Sequence, residues 1–300
     1  MAIAADVIVA SAKLAAGLVS GSSALLAEAV HSAADSVNEL LLALSISVSD
    51  RPADADHPFG YRRVRFLGGF LAAISFFLVG GCLSVGLAVT TLVHGETVDH
   101  FLIAWIVLVV AAVADGAALV QTLGQARREA ALWDSSTIGY LRQTSEPTLR
   151  ALAVEDTAAL AGVLIAAAGL LVHELGGPSA SDSIASLLIG ILLAATAVGL
   201  ARPLADLLIR RSIAPARLKR ARAILENAPS IAQVLDLHAV YVAPQEAILA
   251  AKVHPTNGKT GKELSEVLDE LDQRLRRELP EIADVFIDIT ANSRTAPEPT

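Results

Sequence analysis

The chain has 300 residues, of which 54% are apolar and 18% are charged, and its mean hydropathy is +0.56. Soluble domains carry about 25% charged residues, so this composition excludes an ordinary soluble protein and indicates a protein that crosses a lipid bilayer. The net charge of −8 argues against nucleic acid as a partner, and the single cysteine, Cys82, excludes a disulfide framework and a thiolate metal site.

Six apolar segments are long enough to span a bilayer, which requires about 20 mostly apolar residues in a helix. These segments are 2–19, 23–48, 66–93, 101–124, 149–172 and 182–209. Ser22 and Ser23 supply N-cap chemistry at the start of the second segment. The first segment begins without a basic stretch, so we expect no removable signal peptide, and the abrupt start is also compatible with a native chain that begins upstream.

The loops between the segments orient the predicted bundle. Arginines lie in loop 49–65, in loop 125–148 and after the sixth segment, whereas loops 20–22, 94–100 and 173–181 contain no Lys or Arg. The positive-inside rule therefore places both termini in the cytoplasm. We expect a multi-pass protein of the plasma membrane, which in a bacterium is the inner membrane.

From residue 210 the chain becomes charged and alternates between helical and extended patterns. Residues 214–227 and 260–278 show helical periodicity, whereas 233–242, 246–254 and 285–289 are typical of strands. The order α-β-β-α-β predicts a small two-layer α+β domain of the ferredoxin-like type.

The fold class that we predict is an all-α six-helix transmembrane bundle followed by this small cytoplasmic α+β domain. The expected domains are 1–209 for the bundle, 210–292 for the cytoplasmic domain and 293–300 for a disordered tail. A domain of about 80 residues is near the lower limit for an independent hydrophobic core, so dimerisation would help it.

His31 and Asp35 are the most informative polar residues, because they lie four residues apart inside the apolar second segment. Positions i and i+4 share one face of a helix, so an imidazole and a carboxylate at this spacing can bind one divalent cation. A charged side chain at mid-membrane depth costs about 3 kcal/mol or more, which favours a functional role. The alternative is a hydrogen bond between helices.

The fifth segment offers the adjacent acids Glu155 and Asp156, whose side chains point about 100° apart on a helix. We therefore expect only one of them, preferably Asp156, to be a full ligand, and a salt bridge to an arginine is the alternative. Further polar residues are candidates for the ion pathway or for contacts that support the site: Asn38, Asp6 and Asp115. Glu28 and Glu39 are expected at the edge of a solvated cavity.

The predicted metal site consists of His31, Asp35 and Asp156, with Glu155 or water as a fourth ligand. A mixed nitrogen and oxygen set suits Zn²⁺ in four-coordination. Its carboxylates also favour harder ions such as Mn²⁺ and Fe²⁺, and the lack of thiolates disfavours Cu(I).

Two stretches of the chain resemble the cation diffusion facilitator family. They are residues 21–38, which read GSSALLAEAVHSAADSVN, and residues 57–61, which read HPFGY. The second stretch is similar to the zinc-transporter-9-like branch, although Arg62 and Val64 stand where the family has glycine and an acidic residue. The resemblance also implies a histidine four residues before Asp156, where this chain has Leu152.

The resemblance implies a homodimer, joined through the C-terminal domain, that exports a divalent cation in exchange for protons. It implies no cofactor beyond the transported ion, for which Zn²⁺ is preferred and Mn²⁺, Fe²⁺, Co²⁺ and Cd²⁺ are alternatives. In the C-terminal domain, His238, His254 and Asp288 lack convincing ligand spacing, so we expect no complete metal cluster there. A metal-binding receptor that does not transport, and a membrane enzyme, are the competing classes; we expect no enzymatic activity.

Overall fold

The computed structural model describes residues 2–95, 98, 100–132, 135–143, 147–178, 180–256 and 260–290, without the side chains of 2–6, 143 and 147. The predicted tail, 293–300, lies outside the described residues. The chain divides into two compact units, Met1–Ala205 and Asp206–Thr300.

The first unit is a bundle of helices. Its helices are α1 (Ala2–Ser20), α2 (Ser23–Ser49), α3 (Val64–Ser75), α4 (Leu83–His94), α5 (Phe101–Leu132), α6 (Thr137–Gln143), α7 (Pro147–Glu174) and α8 (Ser181–Leu208). A π-helical segment, Phe76–Cys82, joins α3 to α4, so the third predicted span is a single helix whose pitch changes in the middle. The short helix α6 lies in a stretch that we predicted to be a loop.

Each predicted span corresponds to a helix of the structure, and the all-α architecture is confirmed. Four helical stretches are long and apolar enough to cross a membrane: 64–94, 101–132, 148–174 and 181–208. The described side chains of α1 form a shorter apolar helix, Val7–Ser20. The helix α2 is less apolar because it carries Glu28, His31, Asp35 and Glu39.

Helix α2 is the central helix of the bundle, and several other helices pack against it. It contacts α1, α3, the π-helical segment, α4 and α7. Small side chains make this close packing possible, and Ala24, Ala27 and Ala34 are completely buried. On the π-helical segment, a Cβ at Gly81 would lie 3.2 Å from Ala194 of α8, a tight contact, so the absence of a side chain there favours the close approach of the two helices.

Asp182 links the amino-terminal ends of α2 and α8. Its buried carboxylate accepts hydrogen bonds from the Ser22 hydroxyl at 2.9 Å, from the Ser23 hydroxyl at 3.3 Å and from the Ala24 backbone amide at 2.9 Å. The Ser22 hydroxyl also accepts a hydrogen bond from the Leu25 amide at 3.1 Å, which is the N-cap geometry predicted from the sequence. The first turn of α2 is therefore capped both by Ser22, which directly precedes the helix, and by Asp182 of α8.

The second unit is the predicted α+β domain. Its elements are α9 (Pro215–Glu226), β1 (Ile231–Ala243), β2 (Glu246–Pro255), α10 (Gly261–Glu278) and β3 (Ile282–Ile289). The sheet has the order β1-β2-β3, in which β1 and β2 are antiparallel and β2 and β3 are parallel. Leu225, Leu249 and Leu275 are completely buried between the helices and the sheet. This arrangement confirms the predicted order of elements.

Replacing Asp182 with alanine should destabilise the bundle by about 2 kcal/mol, because three buried donors lose their acceptor. We expect Tm of the purified protein in detergent to fall by about 5 °C. Ile184→Ala is the matched control, since this side chain lies on the same helix and is 48% exposed. Equal Tm values for the two variants would contradict a structural role for the carboxylate.

Candidate metal centre

The i, i+4 pair predicted on α2 is formed. Nε2 of His31 lies 3.2 Å from Oδ2 of Asp35, and the two side chains are 1% and 27% exposed. The His31 ring packs edge-to-face against Phe76 of the π-helical segment, with ring centroids 5.5 Å apart. Nδ1 of His31 has no hydrogen-bond partner among the described residues. A buried imidazole therefore faces a carboxylate that still reaches the surface of the bundle.

The adjacent acids of α7 face different helices, as the 100° spacing predicted. The amide of Asn38 on α2 donates a hydrogen bond to Oε1 of Glu155, and both side chains are buried. Asp156 instead accepts a hydrogen bond of 2.6 Å from Thr122 of α5. Glu155 is also close enough to Asp35 to interact with it electrostatically. Of the two acids, Glu155 is therefore the one on the α2 side, and the preference for Asp156 as a ligand stays a prediction.

Among the residues that the structure describes, no three His, Cys, Asp or Glu side chains are grouped closely enough to hold a metal ion. Of the predicted ligands, His31 and Asp35 form a pair on α2, whereas Glu155 contacts Asn38 and Asp156 contacts Thr122. The four-ligand set stays a prediction. Leu152, at the position where the resemblance implies a histidine, is half-buried and offers no ligand atom.

A buried cluster of charged residues lies beside this pair and was missed from the sequence. The Lys13 ammonium donates hydrogen bonds of 3.0 Å to Oε2 of Glu28 and 3.0 Å to the Ser32 hydroxyl, and it lies 3.7 Å from Oδ2 of Asp115 on α5. We call these four residues the Lys13 cluster. Lys13 and Glu28 are 1% and 0% exposed, so the expectation that Glu28 lies at a solvated cavity edge is wrong.

The sequence did contain a sign of this cluster. Lys13 is a basic residue in the middle of an apolar helix, and such a residue in a membrane is almost always paired with an acid or carbonyl. The partner was not evident, because Glu28 is 15 residues away on the next helix and Asp115 is on α5. The side chain of Asp6, another candidate for the pathway, lies outside the described residues.

In the C-terminal domain, the residues that we expected not to form a metal cluster, His238, His254 and Asp288, contact other groups of the protein. The His238 ring lies 3.0 Å from Asp236, and the half-buried His254 ring contacts the backbone oxygen of Thr290 at 2.9 Å. Asp288 lies 3.8 Å from the Lys252 ammonium group.

The HPFGY stretch forms an ordered turn built on Asp54. Its carboxylate accepts hydrogen bonds from the Tyr61 hydroxyl at 2.6 Å and from the His57 backbone amide at 2.7 Å. The His57 and Tyr61 rings stack with centroids 4.2 Å apart, and Gly60 has a φ of +74°, which favours glycine. The Tyr61 bond and then the His57 amide hold the pKa of Asp54 below its usual value.

The bundle and its buried ionisable residues define a multi-pass membrane protein with a polar region centred on α2. Residues 1–209 match the model of the cation efflux transmembrane domain. The chain therefore belongs to the cation diffusion facilitator family, in the branch similar to zinc transporter 9. This result confirms the resemblance seen in residues 21–38 and 57–61.

Several curated proteins are similar to this chain. The mitochondrial proton-coupled zinc antiporter SLC30A9 of Homo sapiens is 33% identical over 227 residues, which are 76% of this chain and 40% of that protein. The manganese efflux system protein MneP of Bacillus subtilis (strain 168) is 23% identical over 291 residues, which are 96% of this chain and 93% of that protein. The chain thus spans about two fifths of the length of the human protein.

Solved structures that are similar to part of this chain include C-terminal domains of the magnetosome protein MamM. The nickel form of a MamM CTD variant is 18% identical, with a TM-score of 0.25, and covers 26% of this chain and 99% of that chain.

The Asp54 turn yields a pH-dependent prediction. Because the pKa of Asp54 is lower in the folded turn than in the unfolded chain, the ionised carboxylate stabilises the turn above the ordinary aspartate range. This stabilisation is lost as the pH falls through the lowered pKa. Asp54→Asn should therefore speed amide hydrogen exchange of residues 54–61 at neutral pH, relative to the native chain, and have little effect at strongly acidic pH. Asp56→Asn, an exposed neighbour, is the control.

Proposed function

We propose that the protein exports a divalent metal cation in exchange for protons, with the cation held at the His31–Asp35 pair. The preferred cation is Zn²⁺, and Mn²⁺, Fe²⁺, Co²⁺ and Cd²⁺ are alternatives. The observation that supports this proposal most directly is the 3.2 Å contact between the buried imidazole of His31 and the carboxylate of Asp35, one turn apart on α2. Membership of a cation efflux family supports it, and the relatives named for zinc and manganese support Zn²⁺ and Mn²⁺ as candidates.

The His31–Asp35 pair has suitable chemistry for binding and exchange. A neutral imidazole nitrogen and a carboxylate oxygen bind Zn²⁺ at about 2.0–2.2 Å, so a cation placed between them replaces their direct contact. The same imidazole nitrogen takes either a proton or a metal ion, but not both. Metal binding therefore releases protons, and proton entry from the opposite side of the membrane releases the metal.

Helix α7 supplies the other side of the proposed site. The Asn38–Glu155 hydrogen bond joins α2 to α7 one turn beyond Asp35. A small movement of α7 toward α2 would allow Glu155 to leave Asn38 and bind the cation together with Asp35. Movement in the other direction would separate the acids and open the site, which is the alternating access that an antiporter requires.

The rest of the chain fits the same proposal. The basic loops support a cytoplasmic location of both termini, and a plasma membrane, in a bacterium the inner membrane, is the proposed location. We propose that the C-terminal domain joins two copies of the chain into a homodimer, because a unit of this size gains stability from a partner.

The first test removes the ligand pair. His31→Ala and Asp35→Ala should each lower metal-driven proton flux in proteoliposomes by at least about 100-fold, because a lost ligand costs more than the 10–100-fold typical of its supporting partners. Flux should be measured with Zn²⁺, Mn²⁺, Fe²⁺, Co²⁺ and Cd²⁺ across a pH gradient. Val37→Ala is the control, since this apolar side chain of the same helix is 40% exposed.

Unchanged flux in both ligand variants would overturn the site assignment. Metal binding by the native chain without any flux would favour the receptor class instead.

The second test compares the two acids of α7. Because Glu155 faces α2 and Asp156 faces α5, Glu155→Gln should raise KM for the metal by about tenfold and Asp156→Asn by much less. Initial rates of metal uptake into proteoliposomes give both values. A larger effect of Asp156→Asn would support the ligand preference drawn from the sequence and contradict the geometry of α7.

A further inference from the structure

The Lys13 cluster lies next to the proposed cation site but contains none of its ligands. Glu28 precedes His31 by three residues on α2, and Ser32 directly follows His31. The Lys13 ammonium therefore contacts the turn of α2 that carries His31. That ammonium also interacts electrostatically with Asp35. The ammonium group of α1 is therefore held close to the place where a divalent cation is proposed to bind.

The region is richer in acid than in base, even with this lysine. Glu28 and Asp115 both lie within 3.7 Å of one ammonium nitrogen, and Oε1 of Glu28 has no hydrogen-bond partner among the described residues. This oxygen points at Gly162 of α7, where any Cβ would clash with it. Carboxylate and hydroxyl oxygens are the ligands that hard divalent cations prefer. Without the lysine, this space would be lined by the carboxylates of Glu28 and Asp115 and by the Ser32 hydroxyl.

We propose that Lys13 is a positioning residue, a tethered cation that fills this acidic space and keeps the cargo weakly bound at His31–Asp35. This inference rests on the proposed function. Transport requires a site that binds the ion yet releases it. The ammonium group serves release in two ways: it occupies the oxygens of Glu28 and Asp115, and it repels a divalent cation that sits near Asp35.

The test changes the charge of the cluster. Lys13→Met should lower KM for Zn²⁺ by about fivefold, because the repulsion is lost and the acids are free to bind, and should lower maximal flux by a similar factor, because release slows. Lys13→Arg keeps the charge and should leave KM within about twofold of the native value. Ser11→Ala is the control on the same helix, since its exposed hydroxyl donates a hydrogen bond to the Val7 carbonyl of its own turn.

Compensating variants separate this role from a purely structural one. In Lys13→Met/Glu28→Gln one positive and one negative charge are removed together, so KM should return to within about twofold of the native value. Glu28→Gln alone leaves the lysine in excess and should raise KM by about fivefold. This single variant decides the question if Lys13→Met does not fold.

Binding is measured separately from transport, by calorimetry of Zn²⁺ with the purified full chain in detergent. Tighter binding in Lys13→Met, reversed by Glu28→Gln, supports the proposal. A lower maximal flux with unchanged KM and unchanged binding overturns it and leaves Lys13 a structural residue. A native chain that shows no flux would refute the transport function, while the binding comparison would still test the role of Lys13.

Discussion

The bundle depends on one electrostatic constraint: every ionisable group inside a membrane needs a partner, because an unpaired charge costs about 3 kcal/mol or more. Helix α2 carries four such groups, Glu28, His31, Asp35 and Glu39, and some of its polar side chains have partners on other helices. Glu28 bonds to Lys13 of α1, and Asn38 bonds to Glu155 of α7. These contacts, together with small apolar residues, determine which helices surround α2.

The same constraint divides the polar residues into two kinds. Glu28 and Lys13 form an ion pair inside the bundle, whereas the ring nitrogens of His31 have no hydrogen-bond partner among the described residues, although Nε2 lies 3.2 Å from Asp35. Side chains whose donor and acceptor atoms remain available are better suited to reversible binding of an ion than to a structural contact. The positions of the proposed cation site and of the adjacent Lys13 cluster therefore follow from how the polar residues are distributed along α2.

The spans and the α-β-β-α-β order could be predicted because apolar length and periodicity are local properties of the sequence. The His31–Asp35 contact was predictable for the same reason, since both residues lie on one helix. The Lys13 cluster was not, because its partners come from α2 and α5 and only packing brings them together. Which acid of α7 lies toward α2 could not be predicted, because the rotation of a helix about its own axis is set by tertiary contacts. The π-helical segment likewise leaves no clear trace in hydropathy.

The hydrogen bonds of Asp182 have a mechanical consequence. They fix the first turn of α2 to the first turn of α8, while the other end of α2, at Ser49, lies about 40 Å away along a helix of 27 residues. Any tilt between the two helices would therefore pivot at Asp182. His31 and Asp35 lie much closer to this pivot than Ser49 does. A movement of several ångströms at Ser49 would therefore displace them by only a fraction of that distance.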